Sequence, residues 1–151
     1  MPKRKYLPLS DRRILWLFRH DYYRLLATDS PTPELYAVKF FNNAASRVTP
    51  RRNPLRIRHN FCHRGYRHVR LHYKGRRTSV ALHKLTWMVV NNSTVPPGHD
   101  VHHIKSKKLL GKCHDGIGNL ELLDKTAHSD LHTEEFLNGK TNHYPSSWDD
   151  I

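Results

Sequence analysis

The sequence predicts an α+β chain, and three observations carry that expectation. Apolar residues recur at helical spacing in the first 46 residues, strict alternation takes over from Gly65 to Leu82, and the last third sets short apolar runs between polar loops. At 151 residues the chain fits one domain, or one domain with an appended helical piece, because domains commonly run about 100 to 150 residues.

Taken in order, Ser10 and Asp11 precede Ile14, Leu15, Phe18, Tyr22, Leu25 and Leu26, which predicts a capped first helix. The segment Thr28 to Thr32 (TDSPT) breaks it. Thr32 and Pro33 then open a second helix through Leu35, Ala37, Phe40, Phe41 and Ala44, so residues 1–46 are expected to form a helical hairpin. Its connector is longer and richer in proline than the turn of a DNA-reading helix-turn-helix, which favours a packing role. Residues 47–64 contain Pro50, Pro54, Arg51, Arg52, Arg56 and Arg58 without helical period, as an extended basic linker does.

From Gly65 to Tyr73, Val69, Leu71 and Tyr73 alternate with His68, Arg70 and His72, which predicts a strand with one buried face. Lys74 and Gly75 supply a turn, Thr78, Val80 and Leu82 a partner strand, and Leu85 to Val90 a short apolar helix. This small ββα unit is followed by a break at residues 91–97 (NNSTVPP). Beyond it lie an expected strand at Val101 to Ile104, a polar loop, a strand at Asn119 to Leu123, a helix from Asp124 to near Gly139, and a tail over 139–151.

Charge divides the chain more sharply than apolar pattern does. Lys and Arg number 26 against 13 acids, a formal charge of +13. Met1 to His99 holds 20 of these cations and 4 acids, whereas Asp100 to Ile151 holds 6 and 9. No acid occurs between Glu34 and Asp100, a stretch containing Arg51, Arg52, Arg56, Arg58, Arg64, Arg67, Arg70, Arg76 and Arg77. Arginine in such excess over lysine suits bidentate contact with phosphate, so these nine are the expected nucleic-acid-binding residues. No run of about 18 apolar residues is present to cross a membrane, and the basic start lacks the apolar segment of a secretory signal. A cytoplasmic protein is expected. Cys62 and Cys113 form neither a C-x-x-C pair nor a disulfide framework.

Thirteen histidines exceed ordinary usage, and most sit among basic or polar neighbours where a surface role suffices. His83 opens an apolar helix and reads as a core or cap residue. His128 and His132 stand four apart in a predicted helix, so their rings share a face and can hold one metal ion. His102 and His103 are adjacent in a predicted strand and point to opposite sides, so one can bind a metal while its neighbour faces a substrate. A set of His102, His128 and His132 leaves an open metal position, and His103 is then free as a general base, a role imidazole suits at neutral pH.

The order His102-His103-Ile104, then Asn119-Leu120-Glu121-Leu122-Leu123, then His128 and His132 resembles the HNH endonucleases, or ββα-metal nucleases. The double His and the paired helical His look like the colicin DNase branch; HKLTW and VPPGHDVHHI look like small phage HNH and homing-type endonucleases. The resemblance implies a nuclease core over residues 65–138, with His102, His128 and His132 as metal ligands, His103 as the base that activates water, and Asn119 as the loop-fixing residue. It also implies hydrolysis of phosphodiester bonds in DNA, expected to be double-stranded, with one divalent ion. Many relatives have Asp where His102 stands, and many phage relatives an Asn-Asn pair where this chain has Cys113-His114-Asp115. Three imidazoles suit zinc, nickel, cobalt or manganese better than magnesium, which prefers hard oxygen ligands. Two other classes stay open on sequence: a non-catalytic DNA-binding protein with a structural zinc, and an RNA-directed nuclease.

Overall fold

The computed structural model describes residues 7–62, 64–106 and 110–126. Among them are two α-helices and three small antiparallel sheets, a mixed α+β architecture. Helix α1 (Asp11–Arg19) starts as its sequence dictates: the Ser10 hydroxyl accepts a hydrogen bond from the Arg13 amide at 3.2 Å, and Asp11 lies in the positively polarised first turn. It stops earlier than expected. Asp21 adopts a left-handed conformation, φ 59°, and reverses the chain so that Tyr22 and Leu25 leave the helix pattern.

The expected second helix is a strand. β1 (Tyr23–Leu26) pairs with β2 (Glu34–Asn42), which pairs with β3 (Arg47–Ile57). In β2, Leu35 and Ala37 are buried while Tyr36 and Val38 are half-exposed, a period of two; the aromatic and β-branched residues that mimic a helical stripe in sequence fit a pleated surface better. The helical hairpin over residues 1–46 is therefore replaced by one helix and a sheet. Most of the expected linker over 47–64 is likewise strand, over Arg47–Ile57 and Asn60–Phe61, because β3 occupies the sheet edge, where Pro50 and Pro54 need give no ladder hydrogen bond on the outer side. Between the pairs Ala37↔Leu55 and Lys39↔Pro50 the register shifts, so residues 51–54 bulge out opposite Val38.

The ββα unit forms as the alternation requires. β5 (Arg67–Tyr73) pairs with β6 (Arg76–Ala81) across the Lys74–Gly75 turn, β4 (Asn60–Phe61) adds a short edge, and α2 (Leu82–Asn91) follows directly. Val69 and Leu71 of β5, Val80 of β6 and Leu85 and Met88 of α2 enter one core with Ile14 and Leu17 of α1 and Leu35 of β2. The Tyr23 hydroxyl clamps the first two sheets together: it accepts from the His72 amide at 3.0 Å and donates to the His72 carbonyl at 3.3 Å. Past α2, β7 (His99–His103) and β8 (Leu120–Asp124) make a two-stranded hairpin packed on that helix. The helix expected after Asp124, with the tail over 139–151, lies outside the described residues except for its first positions.

Because Leu85 is fully enclosed at the centre of this core, Leu85→Ala should cost about 2–5 kcal/mol of unfolding free energy. Leu55→Ala, on the half-exposed edge of β3, should change it by less than about 1 kcal/mol. Urea denaturation of both variants measures the contrast, and equal losses would show that the core is not where it is placed here.

Candidate active site

The β7–β8 hairpin sets the frame of the site. Its register pairs His102 with Glu121 and His103 with Leu120, so the two histidines project to opposite faces of one strand. Both are buried. On the first face the His102 Nε2 lies 3.8 Å from a Glu121 carboxylate oxygen. On the second face His103 meets residues of three other segments.

The His103 Nε2 is 2.8 Å from Asp115 Oδ1, and the other carboxylate oxygen, Oδ2, accepts from Arg67 Nη1 at 2.9 Å. Arg67 and Asp115 are both enclosed, and the same Nη1 also reaches the carbonyls of Cys113, at 2.8 Å, and Pro31, at 3.3 Å. Arg67 at the start of β5 is thus an internal strut and not a nucleic-acid-binding residue, a correction that follows from burial. Burial alone would raise the Asp115 pKa, but hydrogen bonds from His103 and Arg67 outweigh it and hold the carboxyl below its ordinary value. The ionised carboxylate can only accept. The His103 proton therefore sits on Nε2, and Nδ1 keeps the lone pair of a base.

The His103 ring lies between two others. Tyr66 stacks on it at 5.8 Å with 19° between the planes, and His83 of α2 packs at 4.4 Å. Burial first, and then the neighbouring His103 imidazole, pushes the His83 pKa down to about 3, so His83 is neutral across the physiological range. Its Nδ1 is sealed from solvent and has no hydrogen-bond partner among the described residues.

Asn119 fixes the loop between the two strands. Its Oδ1 accepts from the Lys105 amide at 2.8 Å, while its Nδ2 donates to the carbonyls of Lys105, at 3.1 Å, and His114, at 2.9 Å. The far side of the loop docks on the turn after β1. The Asp115 amide donates to the Pro31 carbonyl at 2.8 Å and the Ile117 amide to the Thr28 carbonyl at 2.7 Å. Only glycine fits between them, because a Cβ on Gly116 would lie 2.5 Å from the Ser30 carbonyl oxygen.

His83, His103 and Asp115 are also the one group of three among the described residues whose donor atoms approach closely enough to suggest a metal, all within 4.8 Å. Their surroundings argue otherwise. Both oxygens of Asp115 are already engaged, and the Arg67 guanidinium beside them would repel a dication. This cluster is better suited to orienting an imidazole. The opposite face holds two donors of a kind that divalent ions accept, the His102 imidazole and, across the strand pair, the Glu121 carboxylate. His128 and His132, the other expected ligands, lie outside the described residues.

Arg52, Arg56, Arg58, Arg70, Arg76 and Arg77 are exposed, and Arg51 and Arg64 are partly so; Arg56 pairs with Glu34 at 3.3 Å. Sequence reasoning missed Asp115 and Tyr66 as site residues, gave Arg67 a phosphate-binding role, and read His83 as a core or cap residue. The absence of any other acid in the 66–120 stretch except Asp100 and Asp115 was the available signal. No protein-family model matches the chain, and no characterised protein or solved structure matches it either.

Two outcomes follow from this geometry. Since His83 takes up a proton near pH 6.5 when unfolded but only near 3 when folded, its share of stability is complete above pH 6.5 and drains away towards 3, by up to about 1.4 kcal/mol per pH unit. Asp115, lowered in the fold, adds a further loss below its unfolded value of 3.8. Melting temperature against pH should fall through that window, and His83→Gln should flatten the slope between pH 6.5 and 4. Separately, Gly116→Ala should destabilise the fold by roughly 1–3 kcal/mol through the clash with Ser30, whereas Gly118→Ala, where nothing lies within 4 Å, should be tolerated.

Proposed function

We propose that this chain is a metal-dependent endonuclease that hydrolyses phosphodiester bonds in DNA, with His103 as its general base. The observation that supports this most directly is the 2.8 Å contact from His103 Nε2 to a buried, ionised Asp115, which leaves Nδ1 as the basic nitrogen. In the reaction, Nδ1 takes a proton from water as the water oxygen bonds to phosphorus. The bond to the 3′ oxygen breaks, leaving a 5′ phosphate and, once that oxygen is protonated, a 3′ hydroxyl. Asp115 is a positioning residue: it sets the tautomer and steadies the imidazolium that forms. Asn119 holds the loop between β7 and β8, and thereby the carboxylate that aims His103.

A divalent ion held by His102 with His128 and His132 would neutralise charge on the scissile phosphate and the departing oxygen. The division of labour between the two faces of β7 favours this over a metal in the His83–His103–Asp115 cluster. The exposed arginines of β3, β5 and β6 supply the field that a polyanion needs.

Supercoiled plasmid and single-stranded RNA, each incubated with the full chain and one divalent metal at a time, test the proposal. Plasmid nicking or linearisation with manganese, nickel or cobalt is expected. His103→Ala should lower the cleavage rate by roughly 10² to 10⁴ while leaving DNA affinity intact. Asp115→Asn should lower the rate too and cost about 3–5 kcal/mol of stability, because it strands the Arg67 charge inside the protein. Unchanged cleavage by His103→Ala would remove it from the mechanism, and RNA cut in preference to DNA would replace the substrate.

A further inference from the structure

Beyond the bulge at residues 51–54, β2 and β3 continue without a third strand. β1 reaches only Ala37, so the pairs Lys39↔Pro50, Phe40↔Thr49, Phe41↔Val48 and Asn42↔Arg47 form a two-stranded ribbon closed by the turn at residues 43–46. Four pairs at roughly 3.3 Å each give an arm about 13 Å long.

The two faces of the arm differ in chemistry. One face carries Lys39 and Phe41 and is turned to the body: the Lys39 ammonium lies 4.9 Å from the Tyr22 ring, and Phe41 meets the Tyr73 ring edge-on at 6.2 Å. The register puts Phe40, Asn42, Arg47 and Thr49 together on the opposite face. Arg51 joins them, with its guanidinium 5.1 Å from the centre of the Phe40 ring. Arg47 and Asn42 flank the turn, and Arg47 and Phe40 are exposed. Among the described residues neither Arg47 nor Arg51 has an ion-pair partner, and the sequence places no acid between Glu34 and Asp100.

We infer that the ribbon over residues 39–50 enters the major groove of duplex DNA and reads base edges there. Three features converge on that partner. A two-stranded antiparallel ribbon fits the roughly 12 Å width of the major groove. The outward residues carry groups suited to base edges: the Arg47 guanidinium for the O6 and N7 of guanine, the Asn42 amide nitrogen as a donor to adenine N7, its Oδ1 already accepting from the Ala45 amide at 3.2 Å, and the Phe40 edge for the thymine methyl. The positive charge of the arm and the adjoining Arg52 complements the phosphate walls of the groove. A surface evolved only for solubility would mix both signs of charge.

The ribbon takes DNA as its partner from the endonuclease reading, but its test needs no cleavage. The full chain is bound to a duplex library with a randomised 12-base-pair core, without added divalent metal, and the selected duplexes are probed by methylation interference. Methylation at guanine N7, in the major groove, should block binding at discrete positions, whereas methylation at adenine N3, in the minor groove, should not. Arg47→Lys keeps the charge but loses the bidentate fork, so it should retain the salt dependence of binding and lose guanine preference by roughly 5- to 100-fold. Arg47→Ala should also reduce the logarithmic salt slope by about one. Asn42→Ala, at the tip, should relax preference at an adjacent position. Absence of N7 interference, or a pattern unchanged by Arg47→Lys and Asn42→Ala in protein with wild-type melting temperature, overturns the assignment. Plasmid cleavage assayed in parallel separates the two ideas: cutting without an N7 footprint retains the nuclease and removes the ribbon, and a variant-sensitive footprint without cutting does the reverse.

Discussion

The Asp115 carboxylate, held between His103 and Arg67, is the constraint on which the rest of the site depends. Taking an arginine and an aspartate out of water costs several kcal/mol per ion, and the cost is offset only when every donor and acceptor is matched. Here the carboxylate is fully matched, whereas the Arg67 Nε is sealed from solvent with no hydrogen-bond partner among the described residues. Each carboxylate oxygen has its own partner, and one Arg67 nitrogen serves two backbone carbonyls as well. The arrangement ties β5, the turn after β1, the 113–119 loop and β7 to one buried charge. Such a pair does little for stability compared with apolar packing of the same volume. What it constrains is the loop, because withdrawing Asp115 would leave the Arg67 charge buried without its counter-ion.

That dependence explains which parts of the molecule were legible in the sequence. The start of α1 could be read from Ser10 and Asp11, and the ββα unit from alternation and the Lys74–Gly75 turn, because these are local signals. Helix α1 ends early and β2 is extended for non-local reasons. Leu35 and Ala37 are buried against a core assembled from α1, β5 and α2, and pairing on both sides of β2 overrides a stripe that satisfied helical spacing by coincidence. The same holds for residues 47–57, whose prolines suggest a linker but are compatible with a sheet edge. At the site, the opposite faces of the His102–His103 pair were readable from strand alternation, and Asn119 only through the resemblance to the HNH pattern. Asp115 was not, since nothing local marks one acid of a polar loop as buried.

Arginine shows the same limit from the other side. In sequence, Arg67 is indistinguishable from Arg64, Arg70, Arg76 and Arg77, all members of one acid-free run. In the fold the Pro31 and Cys113 carbonyls and the Asp115 carboxylate enclose it, while Arg70, three residues along β5 and on the other face of the strand, is exposed. A charge run therefore defines a surface only after the strand's pleat has assigned each residue a side. The excess of positive charge is real, but among the described residues it is divided between exposed strand faces and the enclosed Arg67.

The pleat of β7 carries the most consequence. His102 and His103 differ by one position in sequence and by the whole thickness of the strand in space, so the register His102↔Glu121 and His103↔Leu120 decides which imidazole meets Asp115 and which meets the Glu121 carboxylate. A slip of one residue would exchange the two environments. Two features resist it. The Asn119 amide bonds across the loop to both Lys105 and His114, fixing the loop's length, and the Ile104 amide bonds to the Asn119 carbonyl at the hairpin's closing end. Leu120, opposite His103, is buried while Glu121, opposite His102, is exposed, so a shifted strand would bury the charge of Glu121 and expose the apolar side chain. The adjacency of two chemically identical residues with different environments is thus enforced by the apolar pattern of the facing strand, which is why an Asn-Leu-Glu-Leu run, and not the histidines alone, is needed to define the site.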